Sequence, residues 1–235
     1  MSTRLIDLTA DDLGMAPHSY AFYALRELRH GEDATLWLAE EPSVLMKSLE
    51  IQLRRGIHWE VTEAGPPVWT VSVKRRDDVD AADLIDLLTR DHLRIDKLFA
   101  SALHLTNANK IEEALPYFRE YAAALRRHLG LEDEILAPRF DLPRSPAGDD
   151  PTSIMVREHE QILEQTVMME ELIDEGLGDA GMLAPFFAML SGQLAKHEYR
   201  EEENLFPHWK RLVKNLEGEE DELFRIARET IGEVR

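Results

Sequence analysis

The chain has 235 residues, 44% of them hydrophobic, no cysteine and a formal net charge of -19. Disulfides, thiolate metal sites, cysteine-ligated iron–sulfur clusters and thiol catalysis are therefore excluded. So acidic a surface repels nucleic acid and anionic membrane, and neither is an expected partner. No segment approaches ~18 uninterrupted apolar residues, and the opening Met-Ser-Thr-Arg-Leu-Ile-Asp has no apolar signal core, so a cytoplasmic location is expected. The acidity is uneven: residues 1–75 hold 8 Lys+Arg against 11 Asp+Glu, and the remainder holds 19 against 35. That asymmetry points to two domains, the more acidic one C-terminal.

In chain order, Leu5–Leu8 reads as a short strand, and Pro17 opens a helical run that ends near Gly31. Thr35–Leu38 is a second strand, and Glu41-Pro42-Ser43 starts a helix ending around Arg55-Gly56. Trp59–Thr62 and Val68–Val73 alternate apolar and polar residues about Gly65-Pro66-Pro67, a hairpin pattern. The order βαβαββ predicts a small two-layer α/β sandwich over residues 1–76, followed by a charged linker, 77–82.

Beyond the linker the apolar period becomes 3.6. Helices are predicted from about Ala81 to Leu105 with Asp80 as N-cap, and from about Lys110 to Leu136 with Asn109 as cap and Glu112 completing a capping box. A third follows Asp149-Asp150 with Pro151 in its first turn, and a fourth follows Gly178-Asp179 and runs to about Leu216. Two helical hairpins joined by the longer link Arg139–Asp150 describe an up-down four-helix bundle over residues 83–216. A short helix within residues 217–235 closes the chain. The fold class is α+β.

The hairpins repeat each other. His128-Leu-Gly-Leu-Glu132-Asp-Glu134-Ile-Leu136-Ala-Pro138 matches His197-Glu-Tyr-Arg-Glu201-Glu-Glu203-Asn-Leu205-Phe-Pro207 at a displacement of 69 residues. Asp91-His92-Leu-Arg-Ile95 matches Glu158-His159-Glu-Gln-Ile162 at a displacement of 67. Each bundle helix thus carries one histidine at a matched level. The stripes Ile85, Leu88, His92, Ile95, Phe99 and Met155, His159, Ile162, Thr166, Met169 turn two histidines inward. Tyr121, Leu125, His128, Leu131, Ile135 and Leu190, Leu194, His197, Glu201, Asn204 do the same for the others. In His-x-x-x-Glu the carboxylate shares the histidine's face about 6 Å further along the axis, which lets Glu132 and Glu201 lie across a pair of metals.

Burying four imidazoles and two carboxylates unpartnered costs about 1–3 kcal/mol for each polar group and more for charges. A metal cluster removes that cost by binding every group. Imidazole with carboxylate suits iron, manganese or zinc, and six ligands, two able to bridge, suit a dinuclear iron site. His18, His30, His58, His104 and His208 read as surface or structural. Asp96, four after His92, reads as a solvated helix residue, and Tyr121 as packed core beside the pocket.

The pattern His…His-x-x-x-Glu…His…His-x-x-x-Glu, with its Leu-x-Pro endings, resembles the hemerythrin-like cation-binding (HHE) domain over about residues 83–210. The resemblance implies a non-haem centre of two iron ions, oxo- or hydroxo-bridged, held by His92, His128, Glu132, His159, His197 and Glu201. Oxygen-carrying hemerythrins have a further histidine where this chain has Leu163, and an aspartate where it has Glu202. The set of four histidines and two glutamates is similar to that of iron-centre repair proteins and some iron or oxygen sensors, although the repair proteins carry a cysteine-containing N-terminal segment. The first 75 residues resemble a small domain often fused to hemerythrin-like domains, similar in pattern to TusA-like sulfur carriers. The Cys-Pro motif of those carriers is replaced by Gly14-Met15-Ala16-Pro17, so sulfur transfer is not expected.

The function expected from these readings is binding of dioxygen or nitric oxide in sensing or stress response. The pocket would be lined by Leu88, Phe99, Leu125, Leu163 and Leu194, and the N-terminal domain would meet a protein partner. The alternatives are a di-iron redox enzyme (a peroxidase or nitric oxide reductase) with Tyr121 or Thr166 as proton source, or an iron donor for cluster repair.

Overall fold

A computed structural model describes residues 3–10, 12–53, 55–175, 179–216 and 218–232. The chain divides after Asp80 into two compact units.

The first unit follows the order β1 (Thr3–Asp7), α1 (Pro17–Arg26), β2 (Asp33–Leu38), α2 (Ser43–Gln52), β3 (Ile57–Glu63), β4 (Trp69–Arg75). Its sheet has the strand order β1-β2-β4-β3. β1 and β2 pair in parallel, as their connection through a helix requires, whereas β4 runs antiparallel to both β2 and β3. Alternation along the strands turns Ile6, Leu36, Val71 and Val73 onto Ala21, Leu25, Met46 and Leu49 of the helices in one buried core. Leu5 and Trp37, out of phase with that set, remain exposed on the opposite face.

The second unit begins with α3 (Leu84–Asn107) and α4 (Ile111–Gly130). After a short helical turn, α5 (Ala137–Arg139), come α6 (Pro151–Asp174), α7 (Ala180–Arg200), α8 (Phe206–Lys214) and α9 (Glu220–Ile231). α3 packs on α4 and α7, and α6 packs on α7 and α4, which closes a four-helix bundle; α9 lies against α3 and α4. No described helix is long and apolar enough to cross a membrane.

Two helix starts fall where the sequence places them, each capped by the preceding aspartate. Asp150 accepts from Ser153 N at 2.9 Å and Asp179 from Met182 N at 2.8 Å, each contribution worth about 1 kcal/mol. Two others differ. The cap of α3 is Asp83, not Asp80: its carboxylate accepts from Asp86 N at 2.9 Å, while Asp86 accepts from Ala82 N at 2.9 Å. Asn109 does not start α4 but ends α3. It takes a left-handed φ of 58°, and Asn109 N and Lys110 N bond back to Thr106 O and Leu105 O. That double closure satisfies the last carbonyls of α3, and asparagine tolerates the conformation better than most residues.

The larger departure from regular helix lies beside the histidines. Leu131–Leu136 and Glu201–Leu205 are π-helical, joining α4 to α5 and α7 to α8. A π turn closes its hydrogen bonds one residue later than an α turn and so rotates everything downstream. The expected stripe through Ile135 and Asn204 is displaced by one residue: Leu136 and Leu205 are buried, whereas Ile135 is only half-buried and Asn204 is exposed. His208 is carried to the surface by the same shift.

Candidate metal centre

His92 and His159 sit near the starts of α3 and α6, while His128 and His197 sit near the ends of α4 and α7. Because paired helices run antiparallel, all four imidazoles meet at one level of the bundle. The π turns begin at that level, and Glu132 and Glu201 stand in their first turn. All six side chains are buried, none more than 3% exposed.

The donors fall into two groups. His92 and His128 face Glu132 and Glu201 on one side, and His159 and His197 face the same two glutamates on the other. Within each group one atom per residue lies within 4.8 Å of every other. The Nε2 atoms point inward: His92 Nε2 is 3.2 Å from Glu201 Oε2, His128 Nε2 3.6 Å from Glu132 Oε1, His159 Nε2 3.4 Å from Glu132 Oε2, and His197 Nε2 3.2 Å from Glu201 Oε1. The imidazoles form two pairs, His92 with His128 at 4.6 Å between ring centres and His159 with His197 at 4.7 Å.

Among the described residues, most of this proximity has not become hydrogen bonding; the exception is His159 Nε2 with Glu201 Oε1, 3.3 Å apart. The Nε2 atoms of His92, His128 and His197, both oxygens of Glu132 and Oε2 of Glu201 are buried with no hydrogen-bond partner. Leaving such atoms unsatisfied costs about 1–3 kcal/mol each. Cations between the facing nitrogens and oxygens satisfy them together, so the donor set fits a metal.

The outward nitrogens are also provided for. His128 Nδ1 lies 2.9 Å from Asp91, His159 Nδ1 2.8 Å from Asp133 and His92 Nδ1 3.3 Å from Glu202, all in hydrogen bonds, whereas His197 Nδ1 faces Glu158 at 3.5 Å without forming one. A carboxylate on Nδ1 holds its proton there, fixes the ring plane and leaves the Nε2 lone pair free for a cation. Arg94 braces Asp91 at 2.6 Å, and Arg200 is ion-paired with Glu158. Sequence reasoning missed these four acids. Their signal was adjacency within the repeat: Asp91 and Glu158 each precede a histidine, Asp133 and Glu202 each follow a glutamate, and each serves a histidine on a neighbouring helix. Asp133→Asn is expected to weaken metal affinity by about 10–100-fold without loss of fold, measured by competitive titration against a chelator of known affinity. An unchanged affinity would count against the bracing role.

These charges govern protonation of the metal-free site. Burial by itself pushes His128 and His159 down. The Glu132 charge with the Asp91 contact outweighs it at His128, and the Asp133 and Glu201 contacts outweigh it at His159, holding the imidazoles at about 9 and about 10. Burial works against the charged form of Glu201 as well, but the His197 charge and the contacts from His159 and His92 hold its carboxyl well below the usual range.

The apolar surroundings divide into two clusters rather than one pocket. Leu88 belongs with Leu136, Met155, Leu205, Phe206 and Trp209 on the α8 side of the histidines. Phe99, Leu125 and Leu194 belong to a second cluster on the side of the α3–α4 and α6–α7 connections, with Leu163 half-buried against it. Phe206 stacks on His92, ring centres 5.4 Å apart. Apolar side chains thus flank the centre on both sides along the bundle axis. Tyr121 is fully buried in the second cluster, its hydroxyl near Thr166 but in no well-formed hydrogen bond among the described residues, and burial raises its pKa. The Thr166 hydroxyl donates to Ile162 O at 2.8 Å. Asp96 is exposed, as are His30, His58 and His104, and His18 is half-buried against Ser48.

Fold and site together define a helical-bundle protein with a buried histidine–carboxylate cation site. Residues 83–208, more than half of the chain, match the family model described as the hemerythrin HHE cation binding domain. The chain belongs to that family. No curated protein and no solved structure matches it significantly.

Proposed function

We propose that the chain is a di-iron protein with His92, His128, Glu132, His159, His197 and Glu201 as ligands, and that its centre binds dioxygen or nitric oxide for sensing or stress response. The supporting observation is the division of the donors into two groups that share Glu132 and Glu201. Each ion would take two imidazoles, and both carboxylates would span the pair. Iron so held supplies electrons and open positions for a diatomic ligand. The protein's share is to hold the imidazoles by their outward acids and to keep water away with the two apolar clusters.

Binding is favoured over proton-coupled catalysis by the two hydroxyls closest to that role. Thr166 has committed its proton to Ile162 O, and Tyr121, its pKa raised by burial, is a poor acid. We further propose that the first unit, with its separate core, meets a protein partner.

The test is anaerobic loading of the full chain with ferrous iron, a metal count, and optical spectra before and after dioxygen or nitric oxide. Two irons per chain and a new visible band that reverses on removing the gas support the reading. Two irons with prompt irreversible oxidation favour a redox enzyme. No iron bound refutes the proposal.

A further inference from the structure

The repeat that builds the bundle sets out two equivalent grooves beside the shared carboxylates, one on each hairpin. Their fates differ. On the first hairpin, Leu87, Leu88, Leu131 and Leu136 are buried in one cluster with Leu223, Ala227 and Ile231 of α9. The end of α9 is fastened there by a bond from Arg94 Nη2 to Ile231 O, 3.3 Å.

The matching positions of the second hairpin, displaced by 67 and 69 residues, are Ile154, Met155, Arg200 and Leu205. They line a cavity of about 280 Å³ instead of a helix seat, with Glu158, Glu201 and Asn204 also in its wall. The chemistry of the wall has changed accordingly. Arg200 stands in place of Leu131 and Asn204 in place of Ile135, which sets two polar side chains in a wall that is otherwise largely apolar. Glu201, a carboxylate shared by both donor groups, is reached from this cavity. Arg200, its side chain 40% exposed, is paired with Glu158, which in turn faces His197.

We infer that this cavity is the passage by which a divalent cation enters and leaves the centre: the centre opens on the His159–His197 side and is closed by α9 on the His92–His128 side. The Arg200–Glu158 pair stands at the mouth. The inference rests on the metal-binding reading above. A cation with six waters takes up on the order of 200 Å³ at roughly 30 Å³ per water, which the cavity accommodates. Its carboxylates attract the ion, and Glu201 receives it.

The experiment follows ferrous iron uptake by the full chain and its release to excess chelator, with dissociation constants measured separately. Ile154→Trp fills the cavity without touching a ligand, and is expected to slow uptake and release by the same factor, about tenfold, with the metal count and dissociation constant unchanged. Arg200→Ala opens the mouth and should speed both severalfold. Ile226→Trp, which fills a cavity beneath α9 on the closed side, should leave the rates as they are. Rates within twofold of the parent in both Ile154→Trp and Arg200→Ala, with metal still bound, overturn the passage and leave the metal centre standing. So does a slowing confined to Ile226→Trp. A parent chain that binds no iron overturns both readings. If Ile154→Trp fails to fold, Ile154→Phe, a smaller filling of the same cavity, carries the test.

Discussion

Glu201→Ala is expected to strip the centre of both ions, a larger loss than any single histidine substitution produces. Glu201 belongs to both donor groups, and its oxygens lie within 3.3 Å of the Nε2 atoms of His92, His159 and His197. On the proposed two-ion reading, removing it would take a ligand from each ion and also the negative charge that would hold the two cations side by side. His197→Ala removes a ligand from one group only, and about half of the metal should survive gentle desalting. Metal per chain, measured by elemental analysis after anaerobic loading, distinguishes the two. Full metal content in Glu201→Ala would contradict the shared-ligand geometry.

Metal removal should cost stability by an amount that depends on pH. For each ion bound, free metal at a hundred times its dissociation constant stabilises the fold by about 2.7 kcal/mol. For a domain of this size each kcal/mol moves Tm by about 2–4 °C, so a fall of roughly 5–10 °C is expected for each ion stripped. The metal-free protein compensates in part by protonation. His128 at about 9 and His159 at about 10 lie above their unfolded values near 6.5. Their contribution is therefore fully present below about pH 6.5 and is lost as pH rises through 9 and 10. Metal displaces those protons. The gap in Tm between loaded and stripped protein should widen from pH 6.5 to 9, and calorimetry at several pH values would show it. A gap that narrows with pH would contradict this account.

The buried cluster of four histidines and two glutamates was legible in the sequence because duplication wrote it twice. His128 with Glu132 alone resembles any helical charge pair, but the same spacing recurring at His197 and Glu201 is hard to obtain otherwise. The strands of the first unit were legible for a different reason: alternation is local, and β3 and β4 carry it clearly. What escaped was non-local or finely geometric. That Asp133 braces His159 depends on α4 meeting α6, which no spacing within one helix reveals. The π turns depend on a single deferred hydrogen bond, and their effect, burial of Leu136 and Leu205 in place of Ile135 and Asn204, runs against a 3.6 period carried through unbroken. Asn109 looked like the beginning of a helix because asparagine caps both ends. Only its φ of 58° separates the two roles.

The acids behind the histidines have an electrostatic consequence of their own. Glu132, Glu201, Asp91, Asp133, Glu158 and Glu202 bring six negative charges to the centre when ionised, and Arg94 and Arg200 offset two of them. Four remain, the number that two divalent cations would cancel, with Glu198 counted as neutral because burial and the charges of Asp96 and Glu201 push its carboxyl up to about 8. The dry interior magnifies any departure from neutrality, since two unit charges 4 Å apart interact with about 4 kcal/mol even at an effective dielectric of 20. An ion that gains positive charge there is thus under pressure to acquire an anion or release a proton in the same event. On the proposed di-iron reading, a rise in charge at this centre would favour the uptake of a small negative ligand in the same event.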